Sequence, residues 1–155
     1  MKNPKKLIII TGPSGVGKGT VVKNILKKDK NIWLSISATT RTPREGEEDG
    51  KDYYFLTTKK FKEMINDGMF LEWAEFAGNY YGTPINIIKE KMQEGYKVIL
   101  EIEVEGACQV REKLSDIISI FLLPPNKKEL EKRIRNRGTD NEKSILQRLE
   151  RADFE

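Results

Sequence analysis

At 155 residues, 37% of them hydrophobic and 34% charged, the chain has the size and composition of one soluble domain with a heavily charged surface. The longest apolar stretch near the N-terminus, Leu7 to Ile10, is too short for a membrane span or a signal-peptide core, so a cytoplasmic protein without membrane partners is expected. The complete lack of histidine excludes a Ser-His-Asp triad, a histidine base and a histidine-ligated metal; the lone Cys108 excludes an internal disulfide and reads as a small buried hydrophobe; and the +4 net charge suits phosphorylated ligands without requiring nucleic acid.

In chain order, Lys6 to Thr11 reads as a buried strand, followed by a glycine-rich turn and a helix with Val21, Val22, Ile25 and Leu26 on one face. The segment from Ser35 to Thr83 differs. Tyr53 to Leu56 and Phe70 to Phe76 look like strands around a short helix carrying Phe61, Met64 and Ile65, which suggests an inserted subdomain. Thr83 can cap the next helix, with Pro84 in its first turn, Ile85, Ile88 and Met92 facing inward and Gly95 ending it. Lys97 to Leu100 and Ile117 to Leu123 are two further buried-strand candidates, each followed by residues able to start a helix, so the core sheet is expected to be parallel. Asn126 with Glu129 makes a capping arrangement for a helix running to Arg137 and ended by Gly138. A final amphipathic stretch has Ile145, Leu146 and Leu149 on one face and runs to Glu155 without a terminating signal.

Between the first strand and its helix, Gly12-Pro13-Ser14-Gly15-Val16-Gly17-Lys18 matches the phosphate-binding pattern G-x-x-x-x-G-K. Its glycines let the backbone wrap round phosphate oxygens, the helix N-terminus adds partial positive charge, and Lys18 reaches the outer phosphates of ATP. The residue after Lys18 is Gly19, so the hydroxyl that helps to hold Mg²⁺ is offered by Thr20, and the ion would be held mainly by phosphates and water. Further on, Arg41 and Arg44 flank a proline amid hydroxyls. Their forks suit phosphate oxygens, although two arginines in a polar loop also suit a solvated surface.

The set formed by Thr39-Thr40-Arg41-Thr42-Pro43-Arg44, Gly50-Lys51-Asp52-Tyr53, Leu71-Glu72-Trp73 and Gly78-Asn79-Tyr80-Tyr81-Gly82-Thr83, in that order after the phosphate loop, resembles the guanylate kinase family of bacterial type over the whole chain. The resemblance implies an α/β P-loop nucleoside monophosphate kinase fold: a core at 1–34 and 84–125, a mixed GMP-binding insertion at 35–83, and a helical lid with its following helix at 126–155. It implies ATP-dependent phosphorylation of GMP and dGMP in purine nucleotide metabolism, with Mg²⁺ as cofactor. On matching positions, Arg41, Arg44, Tyr53 and Tyr81 would hold the GMP phosphate, and Ser37, Glu72 and Thr83 would read guanine. A carboxylate at Glu72 can accept from both guanine N1 and N2, whereas adenine N1 is an acceptor, so AMP would leave a buried charge facing a lone pair.

Glu101, Glu103 and Glu105 alternate at the end of a strand and are expected on one face. By resemblance, Glu101 would go to the base and Glu103 to the water shell of the metal. Arg133 and Arg137 lie one helical turn apart and Arg148 follows; Arg133 could pair with Glu129, or, as the family implies, all three could close on the triphosphate. Lys18, Arg41, Arg133, Arg137 and Arg148 would then surround the transferring phosphoryl group. The alternatives are a guanylate-kinase-like binding module, against which the intact Lys18 and arginine set argue, and a C-terminally incomplete fragment without turnover, since family members are expected to continue past Glu155 with a strand and a helix.

Overall fold

The apolar runs of the sequence become the central strands of a sheet. The computed structural model describes residues 7–138 and 140–154, and over these the chain order is β1 (Leu7–Thr11), α1 (Lys18–Lys28), β2 (Ile32–Leu34), β3 (Ala38–Thr39), β4 (Tyr54–Phe55), α2 (Thr58–Asn66), β5 (Phe70–Phe76), β6 (Asn79–Pro84), α3 (Ile85–Gln93), β7 (Lys97–Glu101), α4 (Val104–Lys113), β8 (Ile117–Phe121), α5 (Lys127–Asn136) and α6 (Glu142–Phe154). Lys6 and Glu155, where the first strand and last helix were expected to begin and end, lie outside the described residues.

The core sheet has the order β2-β7-β1-β8 and every pairing in it is parallel, with Leu7 opposite Val98 on one side and Ile117 on the other. A strand covered on both faces must be apolar throughout. Leu7, Ile9, Ile10, Val98, Ile99 and Leu100 are accordingly buried. One side of the sheet packs on Ile88, Ala107 and Val110, the other on Val22 with Ile25 and Leu26. Val21 departs from expectation: next to Val22 in sequence, it is turned about 100° away from it on the helix and stays exposed. The edge strand β8 is likewise not the buried strand its composition suggests. Ile118, Ile120 and Phe121 are each about 40% exposed and Leu123 is 75% exposed, because β8 has a strand neighbour on one side only.

A second sheet, order β4-β3-β6-β5, mixes parallel and antiparallel pairings and carries α2. Phe61 of α2 is fully buried there, stacked on Phe70 with ring centroids 4.3 Å apart. Thr57 caps α2 by accepting from the Lys60 N–H. Thr83, expected as a cap, is instead the penultimate residue of β6. Pro84 stands at the cap of α3, which receives no side-chain bond, because the Thr83 hydroxyl is drawn across the sheet to Glu72. Cys108, expected to be buried, is exposed on the outer side of α4.

At the C-terminal end, Asn126 Oδ1 accepts from the Glu129 N–H at 2.8 Å and Gly138, at φ 66°, ends the helix. Leu130, Ile134, Ile145 and Leu149 form a cluster that includes Val16 of the phosphate loop. Leu146, expected on that face, is 56% exposed: the stripe follows positions 145 and 149, one turn apart, and passes it by. Among the described residues no helix is long and apolar enough to cross a membrane.

Candidate active site

The loop between β1 and α1 is held from beneath. Gly15, at φ 88°, could not carry a side chain: a Cβ there would lie 2.7 Å from Ile134 Cγ1, so α5 supports the loop at van der Waals distance. Gly17 heads α1 with no side-chain cap, and the first turn of α1 contains no acidic residue. Its orphan N–H groups and positive dipole end are thus left for an anion. Lys18 Nζ donates to Gly12 O at 2.6 Å and to Pro13 O at 3.3 Å, so the ammonium sits over the mouth of the loop. Thr20 is exposed in the first turn of α1.

Two of the three C-terminal arginines touch the loop. Arg133 Nη1 donates to Val16 O at 2.8 Å while its Nε pairs with Glu129, so the expected ion pair forms and the same guanidinium also touches the loop. Arg148 donates to Ser14 Oγ at 2.9 Å and pairs with Asp140 at 3.3 Å. Arg137 is the exposed C-cap of α5, and its charge reaches Glu101.

The three carboxylates after β7 separate. Only Glu101 belongs to the strand; Glu103 is the N-cap residue of α4 and Glu105 lies in its first turn, so the expected alternation is replaced by a strand-to-helix turn. Glu101 Oε1 lies 3.6 Å from where a Cβ of Gly19 would stand, against the phosphate loop. Burial pushes the Glu101 carboxyl up and Lys18 opposes the shift. Its charged neighbours are Lys18, Glu103, Lys23 and Arg137, whereas those of Glu72 are Lys113 and Glu105.

On the second sheet the acceptor-site residues fall into two groups. Arg41 forks onto Glu47, at 3.0 and 2.8 Å, with its guanidinium carbon 5.3 Å from the Tyr53 ring centre. Tyr53 meets Tyr81 edge-on at 6.3 Å. Glu47 also accepts from the Arg44 N–H at 2.7 Å, while the Arg44 side chain is exposed. The paired Arg41 holds the Glu47 carboxyl below the usual carboxylate range. The second group is Glu72 and Thr83, paired across β5 and β6, with Thr83 Oγ1 donating to Glu72 Oε1. Both are buried, Glu72 at 7% exposure, and burial pushes its carboxyl up against the opposing Thr83 hydroxyl and Lys113 charge. Ser37, half-buried, immediately precedes β3 of the same sheet.

The guanylate kinase family model matches residues 4–155. The chain is 68% identical over 155 residues to a guanylate kinase of Prochlorococcus marinus strain MIT 9312, covering all of this chain and 84% of that one. It is 53% identical over 156 residues to a guanylate kinase of Trichormus variabilis, covering 99% of this chain and 78% of the relative. The crystal structure of guanylate kinase from Anaplasma phagocytophilum superposes with a TM-score of 0.66 at 33% identity, over 96% of this chain and 73% of that chain. The chain belongs to the guanylate kinase family.

Within this guanylate kinase, four residues that contact the site escape a reading of the sequence. Glu47 and Asp140 are the partners of Arg41 and Arg148, and nothing in a charged loop marks one glutamate or aspartate among several. Gln109 and Lys113 of α4 bind the main chain of β5, Gln109 exchanging two bonds with Trp73 and Lys113 donating to Leu71 O at 2.7 Å. Those contacts span 36 and 42 residues and leave no local signature. The one available signal is that Lys113 and Gln109 share a face of α4 at helical spacing.

Proposed function

We propose that this guanylate kinase transfers the γ-phosphoryl group of ATP to GMP, and to dGMP, as a step of purine nucleotide metabolism. The observation that carries the acceptor's identity is the buried Glu72 carboxylate, bonded on one oxygen by Thr83 and left in need of further donors. Guanine offers two, at N1 and N2; adenine presents an acceptor at N1 and would leave the charge unsatisfied. Ser37 precedes Ala38, which pairs antiparallel with Gly82, and so stands level with Thr83 to complete the base pocket, and Arg41, Arg44, Tyr53 and Tyr81 take the GMP phosphate, the Arg41 fork exchanging Glu47 for phosphate oxygens.

The triphosphate lies in the loop Gly12 to Thr20, with Lys18, Arg133 and Arg148 reaching its oxygens and Arg137 joining them as the lid closes. Glu101, beside Gly19 and within reach of the Lys18 charge, suits the metal side, whereas resemblance would give it to the base and Glu103 to the metal. Among the described residues no group of three or more His, Cys, Asp or Glu could hold a metal by itself. That donor set fits Mg²⁺, which keeps its waters and uses substrate phosphates with one or two protein oxygens; Thr20 and Glu101 would hold it here. Bound there, the ion neutralises charge on the phosphate oxygens.

The acceptor is a phosphate oxygen already ionised at neutral pH, so no general base is needed. A chain without histidine loses nothing by it. What remains is in-line placement, cationic stabilisation and exclusion of water. The test is coupled-assay release of ADP from MgATP by the 155-residue chain. ADP release that depends on GMP and is not supported by AMP or UMP is expected; equal release with AMP, or none with GMP, overturns the reading.

A further inference from the structure

Gly106 is a glycine without a backbone reason. It lies in the first turn of α4 and is not among the residues with positive φ. In a helix alanine is otherwise favoured over glycine. The reason lies across the joint between the two sheets. A Cβ at Gly106 would meet Glu72 Oε2 at 2.6 Å, Cδ at 3.1 Å and Cγ at 3.4 Å. Glu72 is held against this space, because Thr83 holds its other oxygen and the flanking main chain is tied to α4 itself: Leu71 O by Lys113, and both Trp73 N and Trp73 O by the Gln109 amide. The carboxylate is therefore fixed from the strand side and the helix side at once.

We infer that Gly106 is a positioning residue for nucleobase selection: its missing side chain is the space in which the Glu72 carboxylate stands to meet both guanine donors. The inference rests on the reading of Glu72 as the guanine acceptor. A methyl group at position 106 displaces the carboxylate from the place in which it can accept from N1–H and the 2-amino group together. Discrimination against hypoxanthine, which has the N1–H but not the 2-amino group, falls with it.

The test measures dissociation constants of GMP and inosine monophosphate by calorimetry for the full chain and for Gly106→Ala, Glu72→Gln, Glu72→Asp and Gly106→Ala/Glu72→Asp. One hydrogen bond to a charged group corresponds to ~10- to 100-fold in affinity, so the parent is expected to prefer GMP by about that factor and Gly106→Ala to lose most of the preference. ATP affinity should hold, which a general loosening of α4 against the core sheet would not allow. Aspartate is one methylene shorter and retreats from the new methyl, so Gly106→Ala is expected to change the preference less in the Glu72→Asp background than in the parent. Retention of the full GMP preference by Gly106→Ala, or an equal effect in both backgrounds, overturns the inference while leaving the role of Glu72 intact. A parent without the preference, or one that Glu72→Gln does not reduce, overturns the role of Glu72 and the inference with it.

Discussion

The phosphate loop and the acceptor sheet, each proposed to take an anion, are made of different material. The loop is main chain: amides at the head of α1, one lysine folded over its own carbonyls, and a floor supplied by Ile134 and Leu130. The acceptor sheet is side chain. Its anion site is an arginine fork kept in place by an internal carboxylate, and its base site is a buried glutamate pinned by a threonine and a helix. A main-chain site is preorganised by the fold and accepts any phosphate of the right shape. A side-chain site can read a base, but each group must be held by another, as Glu47 holds Arg41 and Thr83 holds Glu72.

That contrast orders the expected effects of mutation. Lys18→Met should lower kcat by ~1,000-fold or more with the circular dichroism spectrum unchanged, since it removes charge from the transferring group and not from the core; near-normal turnover would show that the loop does not carry the chemistry. Ile134→Ala, at a fully buried position beneath Gly15, should cost about 2–5 kcal/mol in urea denaturation and raise the KM for ATP more than that for GMP. An equal rise in both would mean that the loop's support is shared with the acceptor sheet. Glu72→Gln should reduce kcat/KM for GMP by ~100-fold while leaving the KM for ATP nearly unmoved.

Glu72 also separates the two regions by pH. Burial raises its folded pKa above the unfolded value, so protonation favours the fold: the Glu72 contribution to stability is present at acid pH and declines as pH rises through the folded pKa. Guanine binding runs the opposite way, because only the carboxylate accepts from both donors. GMP affinity should therefore fall as pH drops through a value above the ordinary glutamate range, and the difference between the parent and Glu72→Gln should vanish over the same interval, which cancels the titration of the GMP phosphate itself. A parent-to-variant difference that is constant with pH would show that Glu72 does not titrate over that interval. The smallest effect expected is that of Asn126→Ala, about 1 kcal/mol in stability from the lost cap of α5, with little change in either KM.

The same contrast explains what could be read in advance. The loop was legible because a glycine pattern between an apolar strand and an amphipathic helix states its own geometry. The parallel core sheet was legible because continuous apolar runs such as Ile8-Ile9-Ile10 fit only strands covered on both faces. Arg41, Tyr53, Glu72 and Tyr81 were candidates through resemblance, since a side-chain site draws on separate strands and no spacing announces it. Errors arose where one position decides burial: Val21 beside Val22, Leu146 beside Ile145, and Cys108 beside Ala107, each next to a buried neighbour and turned away from it. The carboxylates after β7 were misread because an alternating pattern looks the same whether the strand continues or, as here after Glu101, turns into a helix.

The bonds from Gln109 to Trp73 and from Lys113 to Leu71 have a mechanical meaning. They rivet a helix of the core to the one strand of the second sheet that carries Glu72, close to where that sheet joins the rest of the chain. Glu72 therefore takes its position from a helix of the core as much as from its own sheet.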